Sequence, residues 1–248
     1  MPETDLAVVA ALAEAYLRDR AAAPIAPLLA PDALAGWDFA HPLPLREVAE
    51  RLFALLGQGT LRTDSPRYFG LFNPPATPES IAGDLIAATV NPQLAVWGHA
   101  PAAAEIERRL VRLFGGAIGW PETAGTFTSG GTEANHTAVL AALARRYPGW
   151  AERGLAAAHK QPVILVSAEA HLAWIKIARN VGLGSAAVRL VPAPDGLALD
   201  AASAARTLEA EPGCDPFLIV GTAGTTAHGA IDDLPGLAAW AQIGRAHV

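Results

Sequence analysis

Seven consecutive residues, Ser129-Gly130-Gly131-Thr132-Glu133-Ala134-Asn135, hold the chemistry most readily read from this chain. They stand between a β-like stretch, Gly125-Thr126-Phe127-Thr128, and a helical pattern that runs to about Arg146. A strand, a glycine-rich turn and a helix start gather free backbone N–H groups and the positive end of a helix dipole at one point. Such a point binds an anion, most often a phosphate. Gly130 and Gly131 let the backbone approach a ligand closely or take positive φ, and Thr132 adds a hydroxyl. The run has neither the Gly-Lys-Ser/Thr ending of a P-loop nor the spacing of a dinucleotide fingerprint, so the expected phosphate belongs to another ligand.

The elements that must position this loop follow an α/β pattern. Val163–Val166, Ala187–Val191 and Phe217–Val220 are short apolar runs of the kind found in strands buried on both faces. Helical patterns at 130–146, 171–180 and 199–210 lie between them. Ligands of open α/β sheets sit outside the carboxyl ends of the strands, where Ser129, His171 and Thr222 are expected to converge. Asp232 and Asp233 precede a last helix at Leu234–Gln242 and read as N-terminal caps. Toward the start, Leu6–Arg20 and Leu45–Leu56 have helical spacing, and Ala22–Pro44 holds five prolines and reads as extended connection. Residues 61–80 read as a loop. A helix over Ser80–Val90 would have Ser80 as its cap, and another is expected over Pro101–Phe114.

Composition narrows the class. The chain has 248 residues, 52% of them hydrophobic, and a net charge of −6. Mean hydropathy is +0.27 and the pI is near 5.6, values that fit a soluble α/β globule and argue against a nucleic-acid surface. The acidic start, Met1-Pro2-Glu3-Thr4-Asp5, lacks the basic flank of a signal peptide. No run of about 20 apolar residues offers a membrane span. A single cysteine, Cys214, excludes an internal disulfide and a cysteine-based zinc site and suits the cytosol; no metal site is expected, and the expected location is cytoplasmic.

Two further runs extend the first. Ala168-Glu169-Ala170-His171 follows one apolar strand and Gly221-Thr222-Ala223-Gly224-Thr225-Thr226 follows another. In this order and spacing the three resemble the pyridoxal-phosphate-dependent amino-acid decarboxylases, the aromatic-amino-acid and glutamate decarboxylase group. The resemblance takes in Ser65-Pro66-Arg67-Tyr68-Phe69-Gly70, Ala100-Pro101-Ala102-Ala103-Ala104-Glu105 and Gly229-Ala230-Ile231-Asp232, and so covers roughly residues 60–242. It implies the aspartate-aminotransferase-like fold (fold type I), incomplete here. Residues 1–80 would be an N-terminal helical and extended segment, and 81–242 a partial cofactor-binding α/β domain. It further implies pyridoxal 5'-phosphate as cofactor, an L-amino acid as substrate and a homodimer for the full-length protein. Gly130, Gly131 and Thr132, with Ser129, would hold the phosphate. His171 would stack on the ring and serve as proton donor, and Thr222 would flank the ring. Phe72 and Asn73 match positions that line the substrate pocket, and Trp97 to Pro101 a second wall. Here the chain has Leu71-Phe72-Asn73-Pro74 where the aromatic-amino-acid enzymes carry Tyr-Phe-Pro-Thr, which leaves the substrate open. A transaminase or a decarboxylative aldehyde synthase on the same fold, and a non-catalytic degenerate subunit, are the alternatives.

The lysines bear on activity. The family holds its cofactor aldehyde on a lysine of a later His-Lys pair, and sets an aspartate of a later Asp-Ala strand end against the pyridinium nitrogen. This chain has only Lys160 and Lys176, one in a polar connection and the other on the helix after His171, and neither matches that place. The chain by itself is therefore expected to be inactive. The closing residues, Ile243-Gly244-Arg245-Ala246-His247-Val248, depart from the family pattern and read as a non-native tail on a fragment of a longer gene. Genomic DNA beyond the codon for Gln242 is expected to encode a hydrophobic strand ending in Asp-Ala, then a His-Lys pair. A stop codon directly after Gln242 in clean reads would overturn this.

Overall fold

The computed structural model describes residues 5–244 except 27, 39, 71–73, 121–122 and 194–195. The chain divides into two compact units, Met1–Asn91 and Pro92–Val248.

The first unit is helical. Helix α1 (Asp5–Arg18) packs on α2 (Leu45–Gly59), with the rings of Tyr16 and Phe53 6.0 Å apart. The buried Arg62 fastens the connection beyond them. Its guanidinium lies 4.2 Å from the centre of the Tyr16 ring and donates two bonds to the Asp64 carboxylate, at 2.9 and 3.0 Å. That pair holds the Asp64 carboxyl below the usual carboxylate range. Helix α3 (Pro78–Val90) starts earlier than expected. Thr77 is its cap, and Ser80 occupies the third helical position and completes a capping box (Ser80 N–H to Thr77 Oγ1, 3.2 Å; Thr77 N–H to Ser80 Oγ, 3.1 Å). Pro78 explains the shift, since proline is well placed at the first helical position, where no N–H is needed. On α3 the side chains of Leu85, Ile86 and Val90 are all more than half exposed.

The second unit carries α4 (Pro101–Ala117), α5 (Gly131–Arg146) and the short α6 (Trp150–Arg153). Then come β1 (Gln161–Ser167), α7 (Ala173–Asn180), β2 (Val188–Val191), α8 (Ala201–Glu209), β3 (Cys214–Val220) and α9 (Leu234–Gly244). Among the described residues the strands form one parallel sheet in the order β2-β1-β3. Ile164 pairs with Val188 on one side and Leu218 on the other. The central strand is buried on both faces from Pro162 to Ser167. The outer strands are not: Leu190 of β2 is half exposed, because an edge strand has one neighbour fewer to cover it. Val139 and Leu143 of α5 and Trp174 and Ile177 of α7 pack with Ile164, Val166 and Phe217 in one core. Leu237 and Ala241 of α9 join Leu199, Ala204, Leu165 and Ile219 in a second.

Two expectations need correction. Gly125–Thr128 is irregular and is no strand. It has no paired strand among the described residues, and the Phe127 N–H donates instead to the Glu107 carboxylate of α4, at 2.8 Å. Asp232 is not a simple cap either. It is buried, and its carboxylate accepts from the N–H of Leu199 and of Thr222, both at 2.7 Å. The neighbouring Asp233 performs the capping, accepting from the Gly236 N–H at 3.1 Å. Asp232 thus ties the segment before α8 to the end of β3. Asp232→Ala should leave two backbone N–H groups without an acceptor and lose about 3 kcal/mol of stability in denaturant titration, at the upper end for bonds to a charged group. Asp233→Ala should lose about 1 kcal/mol, as for a cap. Equal losses would contradict this division of labour.

Candidate cofactor-binding site

Helix α5 brings the glycine-rich loop to a defined place. At its far end Arg146 and Tyr147 donate to the two oxygens of Asp215, at 2.7 and 2.9 Å, and Asp215 stands at the beginning of β3. A helix of 16 residues is about 24 Å long, and a strand of 7 residues is about 23 Å. Packed against β3 with its last turn at the strand's start, α5 runs antiparallel to it. Its first turn therefore lies level with the carboxyl end of the sheet.

In that first turn the donors are unevenly used. The N–H and the hydroxyl of Ser129 both donate to Glu133 Oε2, at 2.7 and 2.6 Å, and these bonds lower the Glu133 carboxyl from its ordinary value. The N–H groups of Gly130, Gly131 and Thr132 have no acceptor among the described residues. Helix starts leave such donors open unless a cap or a ligand takes them, and Gly130 supplies no side chain to cap this one. Gly130 has φ 168°, an extended backbone, and Gly131 opens the helix; neither lies in the left-handed region. A methyl group on either glycine would meet no atom within 4 Å. The glycines therefore answer no steric demand of this chain. The loop carries three N–H groups without an acceptor and lines a hollow, and that arrangement fits a phosphate.

His171 and Thr222 leave the same edge of the sheet. His171 is exposed, four residues past the end of β1, and its Nδ1 accepts from the Ala173 N–H at the start of α7, at 3.1 Å. With Nδ1 an acceptor, the neutral ring carries its proton on Nε2, which is free to donate outward. Thr222 follows β3 and is fixed through its backbone, its N–H on the Asp232 carboxylate and its carbonyl accepting from the Asp232 N–H at 2.9 Å. The turn after it needs glycine at Gly224, where φ is 109°, and Thr225 Oγ1 accepts from the Ala230 N–H at 3.1 Å. Gly221 serves packing, since a Cβ there would come within 2.5 Å of Leu234 on α9. His228 of this turn reaches Glu169 in the connection before His171 (Nδ1–Oε2, 3.5 Å). The two loops are thereby joined, a contact for which the sequence carries no signal.

A hollow of about 430 Å³ opens beside the glycine-rich loop, lined by Ser129–Glu133 together with His136, Lys176, Ile177 and Asn180. Neither His171 nor Thr222 is among its lining residues, so the three sequence motifs share an edge of the sheet without sharing this hollow. His136 and Lys176, taken from sequence as ordinary residues, do line it. Phe72 and Asn73 lie outside the described residues. Trp97 is exposed and donates to Glu105 at 3.4 Å. No cluster of three or more histidine, cysteine, aspartate or glutamate side chains among the described residues could hold a metal, and no described helix is long and apolar enough to cross a membrane.

Similar proteins agree with this geometry. The pyridoxal-dependent decarboxylase conserved domain matches residues 40–243. Human cysteine sulfinic acid decarboxylase is 32% identical over 78% of this chain and 39% of its own length. The L-2,4-diaminobutyrate decarboxylase of Rhizobium meliloti is 38% identical over 65% of this chain and 31% of its own. The crystal structure of mouse CSAD in apo form superposes with a TM-score of 0.87 at 25% identity, covering 98% of this chain and 52% of that one. The chain thus spans about half, or less, of the length of these relatives, with the parallel sheet and flanking helices of fold type I. Its residues 40–243 place it in the pyridoxal-dependent decarboxylase family.

Proposed function

We propose that the whole protein decarboxylates an L-amino acid with pyridoxal phosphate, and that this chain supplies the phosphate-binding half of the site. The reading is carried by the three open N–H groups of Gly130, Gly131 and Thr132, residues that line a hollow at the carboxyl edge of the sheet. When bound, the cofactor supplies an electron-poor ring that accepts the electron pair left as carbon dioxide departs. The chain's own residues bind and orient. Gly130, Gly131 and Thr132 hold the phosphate through backbone N–H groups and one hydroxyl. Ser129 shapes the loop, because Glu133 occupies both of its donors. His171 presents a flat ring and an Nε2–H, so it can lie against the cofactor and give a proton to the reacting carbon. Thr222, held rigid by Asp232, flanks the ring, and Phe72 and Asn73 line the substrate side.

The relatives' names include a sulfinic acid and a diamino acid, so the substrate class remains an L-amino acid. Exposed apolar side chains on α3 and on α4 (Ile106, Leu113, Phe114) suit a chain that is covered in a larger assembly, a cytoplasmic homodimer of full-length subunits.

Thr132 and His171 should fail differently in the full-length protein. Thr132→Val removes one bond to a phosphate that backbone groups still hold, weakening cofactor binding by about 1.5–3 kcal/mol, and excess cofactor should restore most of the rate. His171→Ala removes a proton donor, and turnover should stay roughly 10²–10⁴-fold low even at saturating cofactor. Cofactor affinity and saturated turnover, measured on both variants, separate the roles. Full recovery of His171→Ala with added cofactor would reduce the histidine to a binding residue.

A further inference from the structure

The hollow beside the glycine-rich loop has a wall that the loop does not provide. Helix α7 contributes Lys176, Ile177 and Asn180 to it. Ile177 is buried in the core and anchors the helix there. Lys176 and Asn180 are exposed, one helical turn apart, and so form the outer rim on one side. The charges around this space are few. Glu133 is a carboxylate held at the loop by Ser129. Among the described residues that line the hollow, Lys176 alone carries a permanent positive charge, and it has no ion-pair partner among the described residues. His136 can add a second charge only when protonated.

This sets a conflict in the loop. Open N–H groups and a helix dipole attract a phosphate, while the Glu133 carboxylate beside them repels a dianion. Partial charges at a helix start amount to about half a unit, less than a phosphate and a carboxylate together present. A full cation facing the same space restores the balance. We propose that Lys176 is a phosphate-binding residue, its ammonium offsetting Glu133 and contacting the phosphate of a phosphorylated pyridine ligand from the α7 side. This assignment rests on the phosphate-loop reading above and gives Lys176 a function other than covalent attachment of an aldehyde. Asn180 extends the rim with an amide that can donate alongside it.

The test uses the 248-residue chain and two amine ligands that cannot react with lysine: pyridoxamine 5'-phosphate and pyridoxamine. Affinities are read by titrating ligand fluorescence, with circular dichroism as a check on folding. The wild-type chain should prefer the phosphorylated ligand. Lys176→Gln should weaken that ligand by roughly threefold to tenfold, as for a charge-assisted contact at a partly open site, and leave pyridoxamine unchanged. Lys176→Arg should retain most of the preference, and added salt should shrink the difference between wild type and Lys176→Gln. Equal weakening of both ligands by Lys176→Gln, or of neither, would overturn the assignment while leaving the loop reading intact. A wild-type chain that does not distinguish the two ligands would instead overturn the loop reading, and Lys176 with it.

Discussion

A backbone N–H at the start of a helix needs an acceptor, and the chain must supply one or leave the place to a ligand. In α5 the chain supplies one only in part. Glu133 turns back on Ser129 and takes both of its donors, and Gly130, at the capping position, has no side chain to offer the rest. Gly130, Gly131 and Thr132 therefore leave their N–H groups without an acceptor among the described residues, and all three line one hollow. The chemistry proposed for this half of the site follows from that incomplete cap.

The cap matters because of where it is held. The ion pair between Arg146 and Asp215 and the bond from Tyr147 to the same carboxylate fix the far end of α5 to the start of β3, which places its first turn at the other end of the sheet. On that edge Asp232 links the end of β3 to the segment before α8, and His228 meets Glu169 across the two neighbouring loops. These contacts make the carboxyl edge a set of connected loops on rigid strands, as ligand sites in open α/β sheets require. The opposite edge is basic in another way, with Arg153, His159 and Lys160 around a larger hollow near Asp215, and carries none of the sequence motifs.

Much of this was legible in the sequence, for physical reasons that can be named. The strands at Val163–Val166 and Phe217–Val220 were visible because a buried parallel strand must be apolar along its length, and each was found within the observed strand. The loop at Ser129–Thr132 was visible because glycine pairs before a helix are uncommon without cause. The stretch at Gly125–Thr128 misled because β-like composition does not provide a neighbour to pair with, and here Glu107 takes the N–H of Phe127. Asp232 and Asp233 could not be told apart, since both precede a helix and only the fold shows that one points inward to Leu199 and Thr222. Of the two uses the sequence left open for Gly130, close approach and positive φ, its extended backbone leaves only the first. Lys176 and His136 reach the hollow through the packing of α5 on α7, a long-range relation that local patterns do not record.

The central claim, that the first turn of α5 is an anion site because its cap is incomplete, is tested most directly at the amides themselves. Backbone ¹⁵N–¹H resonances of the chain can be followed while inorganic phosphate is titrated in at constant ionic strength. The account predicts that the amides of Gly130, Gly131 and Thr132 shift together and saturably, with that of Ser129, already bonded to Glu133, moving less. Amides that stay still at Gly130–Thr132, while those around Arg153 and Lys160 respond, would contradict it.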